Sequence, residues 1–196
     1  NQGYRLPKEK IKIINNFSRL YLDRFDHEIE NPDIIPPDDT QLSLLPSAGK
    51  SYWKDLKYFS ESKEQIYKTI IFLKDVLTMK MSDIVILIDT HKEGLEIKKF
   101  LEETLKEEAK IMDIFSLNGS DKKYKFRVNS PHLKMSTIHS FKGWEARNVI
   151  ILIPQKVNID SQIYTSLTRV QENLFILNLN QKYTDFGKNN FNKFDF

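Results

Sequence analysis

Residues 137–145 read Thr-Ile-His-Ser-Phe-Lys-Gly-Trp-Glu, and several of these side chains could handle a phosphorylated ligand. Thr137, His139 and Lys142 supply a hydroxyl, an imidazole and a cation, groups that suit phosphate oxygens. Gly143 lets the backbone come close to a ligand. Glu145 can accept hydrogen bonds from hydroxyls, as acidic residues do with ribose. Taken singly, His139 reads as a surface or satisfied core histidine and Lys142 as an ordinary solvated lysine. Neither bland reading explains the set. Further on, Tyr164-Thr-Ser-Leu-Thr-Arg169 ends in an arginine that alone would be a salt-bridge partner. Its planar, permanently charged guanidinium is also suited to charge that develops during phosphoryl transfer.

Two other stretches imitate nucleotide chemistry. Ser47-Ala-Gly-Lys-Ser51 resembles the end of a phosphate-binding loop, but Leu44 stands where the pattern G-x-x-x-x-G-K-[ST] needs its first glycine. Such a loop should open a helix, whereas Tyr52-Trp-Lys-Asp-Leu-Lys-Tyr-Phe59 alternates like a strand. Ile84-Val-Ile-Leu-Ile-Asp89 looks like a strand ending in a magnesium-ligating aspartate. Without a credible phosphate loop beside it, Asp89 or Thr90 is read instead as the cap of the next helix.

The elements that must position these groups follow from periodicity. Pro7 can open a helix, and Ile11, Ile14, Phe17 and Leu20 recur at helical spacing over about 7–24. An acidic stretch, then Pro, Asp and Ser, makes 26–50 a surface loop. A strand at 52–59 precedes a helix marked by Ile66, Ile70, Leu73 and Leu77. The β-branched run 84–88 predicts a strand buried on both faces, followed by a helix at about 92–108. Strands are expected near 111–115, 133–138, 148–153 and 173–178, with a polar loop at 118–130 and a helix at 160–170 that carries Arg169. The tail 181–196 is polar and is expected to pack loosely, leaving 1–180 as one domain. Strands alternating with helices imply a largely parallel sheet covered on both faces, with ligands beyond the carboxyl ends of the strands.

Composition narrows the class. The 196 residues, 40% hydrophobic and 29% charged, suit a single globular domain with a real core. No apolar run approaches the ~20 residues that span a membrane, and no signal-peptide pattern opens the chain. Zero cysteines remove disulfides and thiolate metal sites, which fits a cytoplasmic protein. His27, His91, His132 and His139 are too scattered for zinc, so no metal site is expected in this chain. The net charge of +3 permits contact with nucleic acid without advertising it. Asn1 in place of methionine suggests a piece of a longer polypeptide.

The stretch 137–145 resembles motif V of the UvrD/Rep/PcrA-like superfamily 1 DNA helicases, T-x-H-x-x-K-G-x-E, at every defined position. Residues 164–169 resemble motif VI, Y-V-A-x-T-R-A: Tyr164, Thr168 and Arg169 match, while Thr165, Ser166 and Val170 depart. Gly3-Tyr-Arg-Leu-Pro7 resembles motif IV, Q/N-x-Y-R. The likeness runs from Gly3 to about Asn178. It implies the C-terminal motor domain (2A), an α/β, RecA-like three-layer sandwich with a mainly parallel sheet. Only about residues 109–132 stand where larger relatives insert a further domain called 2B, fewer than the ~50 residues of a small domain. This would be a motor half without that insertion.

By the same resemblance Arg169 would be an arginine finger on the γ-phosphate of ATP and Arg5 a second contact to it. Tyr4 would stack on adenine, and Gly143 and Glu145 would line the nucleotide site. Thr137, His139 and Lys142 would grip backbone phosphates of single-stranded or partly duplex DNA. An N-terminal RecA-like domain of the same polypeptide would hold the phosphate loop and the Mg2+ ligands, leaving this half inactive alone. Closure of the two halves would complete the catalytic set and drive stepwise movement, 3′ to 5′. Two alternatives stay open: a non-catalytic nucleic-acid-binding or interaction module derived from a helicase, and a small NTPase using Gly49, Lys50, Ser51 and Asp89. Residues upstream of Asn1 would separate the first from the motor, and hydrolysis by this chain, lost in Lys50→Ala, would favour the second.

Overall fold

The computed structural model describes residues 8–22, 49–115, 130–156 and 158–194. Tyr4, Arg5 and nearly all of the loops expected at 26–50 and 118–130 lie outside the described residues. Helix α1 is Lys8–Tyr21, followed by β1 (Ser51–Asp55), α2 (Phe59–Ile71), β2 (Ile84–Ile88) and α3 (His91–Leu105). Next come β3 (Ile111–Asp113), β4 (Leu133–Thr137), β5 (Ala146–Ile153), α4 (Asp160–Leu167), β6 (Val170–Asn178), α5 (Thr184–Asn190) and β7 (Asn192–Lys193). The strands form one parallel sheet in the order β3-β4-β2-β5-β6-β1-β7.

Burial explains the order. All five residues of β2 are buried, as a central strand covered on both sides requires. Ile84, Ile86 and Ile88 face α2 and α3, packing with Ile66, Ile70, Leu73, Ile97 and Leu101. Val85 and Leu87 face the other way, into a core with Ile13, Ile14 and Phe17 of α1, Ile163 and Leu167 of α4, and Phe186 of α5. The result is the expected three-layer α/β sandwich.

Several boundaries differ from the sequence reading. Strand β1 stops at Asp55 rather than Phe59: the Leu56 N–H makes the last ladder bond, to the Asn178 carbonyl at 2.7 Å, where β6 also ends, and Phe59 begins α2. Helix α2 runs on through a π-helical turn at Phe72–Val76, and α3 ends one tight turn earlier than expected. Leu20, placed on the apolar stripe of α1 by its spacing, is exposed; Tyr21 instead packs against Phe17 and Tyr183.

The C-terminal tail packs closely up to Phe194, against expectation. Tyr183, Phe186 and Phe194 are buried, and the Tyr183 hydroxyl donates to Asp160 Oδ1 at 2.9 Å. The rings of Phe186 and Phe191 lie 6.1 and 5.2 Å from that of Trp53, and β7 extends the sheet beside β1. The Asn, Lys and Asp residues between these aromatics mask the apolar set when the tail is judged by composition.

Candidate functional site

The segment 138–145 returns the chain from the carboxyl end of β4 to the amino end of β5. Thr137 folds its start: its Oγ1 accepts the Ser140 N–H at 3.0 Å and its carbonyl accepts that of Phe141 at 3.1 Å. Phe141, 1% exposed, pins the turn to the core shared by α1 and α4. With that side chain inward, His139, Ser140 and Lys142 stand outside in solvent. Thr137 itself is buried, although its hydroxyl keeps a proton to donate. Gly143 has φ +95° with open space where a side chain would start, so backbone conformation rather than crowding calls for glycine.

Glu145 and Arg169 immediately precede β5 and β6, and these two strands are neighbours. Ala146 pairs with Val170, and the Ala146 N–H donates to the Arg169 carbonyl at 3.0 Å. The two predicted nucleotide-site residues therefore sit side by side at the amino rim of the sheet. Arg169 is not on α4 as expected. That helix closes at Leu167, and Arg169 occupies the turn that follows, its N–H donating to the Ser166 carbonyl at 3.1 Å. Its Nε is buried and, among the described residues, meets no acceptor. Such an orphaned donor costs about 1–3 kcal/mol and is uncommon in native structures. An anionic oxygen is one kind of acceptor that would satisfy it if the side chain turned outward.

Around these residues the rim is tied together by groups that no motif points to. Gln171 Nε2 donates to Glu145 Oε2 at 2.9 Å. Arg147 holds Glu172 at 2.7 Å and Asp83 at 3.3 Å. Lys10, 2% exposed on α1, donates its ammonium to the Glu172 carbonyl. Burial pushes that ammonium down to about 7, partly opposed by the Glu172 carboxylate. Gln171 shares strand parity with Arg169, the one sequence signal that could have flagged it. The rest is visible only in three dimensions.

Of Thr137, Glu145 and Arg169, all expected beyond the carboxyl ends of the strands, only Thr137 lies at a carboxyl end. Thr137 is level with Ile88 at the top of β2, whereas Ala146 begins two residues below Asn148, the partner of Ile84 at the bottom. At ~3.3 Å per residue the ends of the 137–145 stretch are about 20 Å apart along the strands. Parallel connections must run from one rim to the other, so a motif that ends just before a strand ends at the amino rim.

At the carboxyl rim, Asp89, Glu93, Gln155 and Lys156 line a cavity of about 300 Å³, and Lys156 pairs with Asp89 at 3.2 Å. Thr90 is the helix cap, its side chain accepting the Glu93 N–H at 3.2 Å. The Gly49-Lys50-Ser51 stretch enters β1 as the alternation predicted. A side chain at Gly49 would collide with the Glu172 carbonyl, and the Lys50 N–H is held by Asn173 Oδ1 at 2.9 Å. Among the described residues no three His, Asp or Glu side chains cluster to hold a metal ion. Nor, among them, is any helix long and apolar enough to cross a membrane.

No protein-family model matches this chain, and no curated protein matches it. Among solved structures it is similar to the C-terminal domain of a possible DNA helicase from Lactobacillus plantarum WCFS1. The TM-score is 0.60 at 11% identity, covering 97% of this chain and 98% of that one. Domain 2 of the DEAD-box helicase Mss116p, solved with an RNA duplex, gives a TM-score of 0.49 at 14% identity over 70% of this chain and 56% of that one. The UvsW helicase from bacteriophage T4 gives 0.47 at 15% identity over 98% and 68%. At 11% identity, the first likeness is one of fold: this chain has the RecA-like α/β architecture that the C-terminal domain of that possible helicase also has.

Proposed function

We propose that this chain is the C-terminal motor domain of an ATP-dependent superfamily 1 DNA helicase or translocase. On this reading its amino rim closes on a nucleotide bound by a preceding RecA-like domain. The observation that carries the reading is the buried Arg169 Nε without an acceptor, set beside Glu145 at the starts of two adjacent strands. Arg169 would give its guanidinium to the γ-phosphate, where a fixed positive charge stabilises the transition state more than the ground state. Glu145 would accept from the sugar hydroxyls. Tyr4 and Arg5 would add a stacking face and a second phosphate contact. Magnesium, bound by carboxylate and hydroxyl groups of the preceding domain, would neutralise phosphate charge.

Thr137, at the carboxyl rim, and the exposed His139 and Lys142 beyond it would hold phosphates of single-stranded DNA. Contacts of this kind are largely independent of sequence and weaken with salt. Because one turn joins Thr137 to Glu145, a shift at the nucleotide would reach the nucleic-acid grip through eight peptide bonds (Thr137 to Glu145). The test is Arg169→Ala in the full-length polypeptide: turnover should collapse while nucleotide binding persists. Unchanged turnover would remove the arginine-finger role.

A further inference from the structure

We infer that Gln171 is a positioning residue that orients the Glu145 carboxylate toward the sugar hydroxyls of the bound nucleotide. The inference rests on the nucleotide reading above and deepens it to a preference for nucleotides that carry those hydroxyls. Glu145 lies just outside β5. Gln171, the second residue of β6, reaches across from the neighbouring strand and donates Nε2 to Glu145 Oε2 at 2.9 Å in a half-buried setting.

The chemistry of this partner matters. Arg147 is only two residues away, yet its guanidinium is committed to Glu172 and Asp83. An arginine on Glu145 could take both carboxylate oxygens in a fork. A neutral amide supplies one donor to one oxygen and leaves the carboxylate its charge. A carboxylate has about four acceptor sites, so hydroxyls can be bound while the amide holds the group in place. Gln171 thus holds one oxygen of Glu145 without adding a charge of its own, as preorganisation of a polar contact requires.

The experiment uses the full-length polypeptide and compares ATP with 2′,3′-dideoxy-ATP, which lacks both hydroxyls. Gln171→Met keeps the side-chain length and removes the donor; Gln171→Glu keeps the shape and replaces the donor with a like charge. Both should raise KM for ATP by roughly five- to tenfold with kcat within about twofold, and leave KM for the dideoxy nucleotide unchanged. Equal increases for both nucleotides, or no change for either, would overturn the inference. Arg169→Ala, run alongside, separates the two claims. If it abolishes turnover while the Gln171 variants ignore the hydroxyls, only this inference fails. If it retains turnover, or the unmodified polypeptide hydrolyses nothing, the motor reading fails and takes this one with it.

Discussion

The two ends of the connection from the fourth strand to the fifth are built on opposite plans. At the amino rim, polar groups are paired and partly buried: Gln171 with Glu145, Arg147 with Glu172 and Asp83, Lys10 with the Glu172 carbonyl. Where the chain leaves the carboxyl rim, His139 and Lys142 stand exposed on a turn held by Thr137 and Phe141. A preorganised, partly buried rim suits charge that develops at one place. An exposed lysine beside an imidazole suits a polyanion whose sequence does not matter. On the proposed reading, the difference makes the 137–145 stretch one connection with two jobs at its two ends, rather than a single compact site.

The comparison breaks most sharply at Arg169. Arg169→Ala in the full-length polypeptide is expected to lower ATP turnover by about 10³-fold or more, while affinity for single-stranded DNA stays within about twofold. Steady-state hydrolysis and fluorescence anisotropy on the same preparations check this. A parallel loss of DNA affinity would mean that the rims do not act separately.

Lys10 sets the next largest effect, on stability. Its ammonium has a pKa near 7 in the folded protein and an ordinary lysine value when unfolded. As pH falls from ~10 toward 7, the unfolded chain takes up a proton that the folded chain refuses, so stability declines; below ~7 both hold it and the decline stops. Thermal unfolding should therefore become harder from pH 7 to 9, by about 2–3 kcal/mol in all, and Lys10→Met should flatten most of that rise. Lys134, also pushed down by burial, contributes a dependence of the same sign. A wild-type melting point that falls over this range would contradict the buried lysine.

Much of this layout was legible in the sequence because its causes are local. The apolar run 84–88, β-branched at four of its five positions, can hardly be anything but a central strand, and the helical spacing of Ile66, Ile70 and Leu73 holds at full burial. The order of residues 137–145 marked the turn and its polar groups. What the sequence hid is relational. Glu145 and Arg169 meet because β5 and β6 are neighbours, which nothing within either segment dictates. Gln171 and Lys10 acquire meaning only from partners 26 and 162 residues away. The tail was misjudged because four aromatics, Tyr183, Phe186, Phe191 and Phe194, are spread among polar residues that face solvent. Tyr4 and Arg5 gain no geometric support, since they lie outside the described residues.

Lys142 sharpens the other side of the comparison. Lys142→Ala should weaken single-stranded DNA binding by about three- to tenfold at low salt. The slope of log affinity against log salt should shrink by about 0.7, the value for one lost phosphate contact on a single strand. Arg147→Ala, a cation of the amino rim, should leave that slope alone. If the two variants change the slope equally, nucleic acid does not distinguish the rims.

The smallest effect falls on the link between them. Gly143 sits at φ +95° with nothing near its missing side chain, so Gly143→Ala meets no clash but must hold a conformation that L-residues avoid. That strain costs about 1 kcal/mol, or about 2–4 °C in a melting curve for a domain of this size. Asn tolerates positive φ better than Ala, so Gly143→Asn should recover part of the loss. If the turn transmits between rims, Gly143→Ala should also reduce the stimulation of ATP hydrolysis by DNA more than it reduces either binding affinity, because relaxing the strain moves Glu145 relative to Lys142. Equal losses in stimulation and affinity would leave the turn as a passive connection that joins two rims without coupling them.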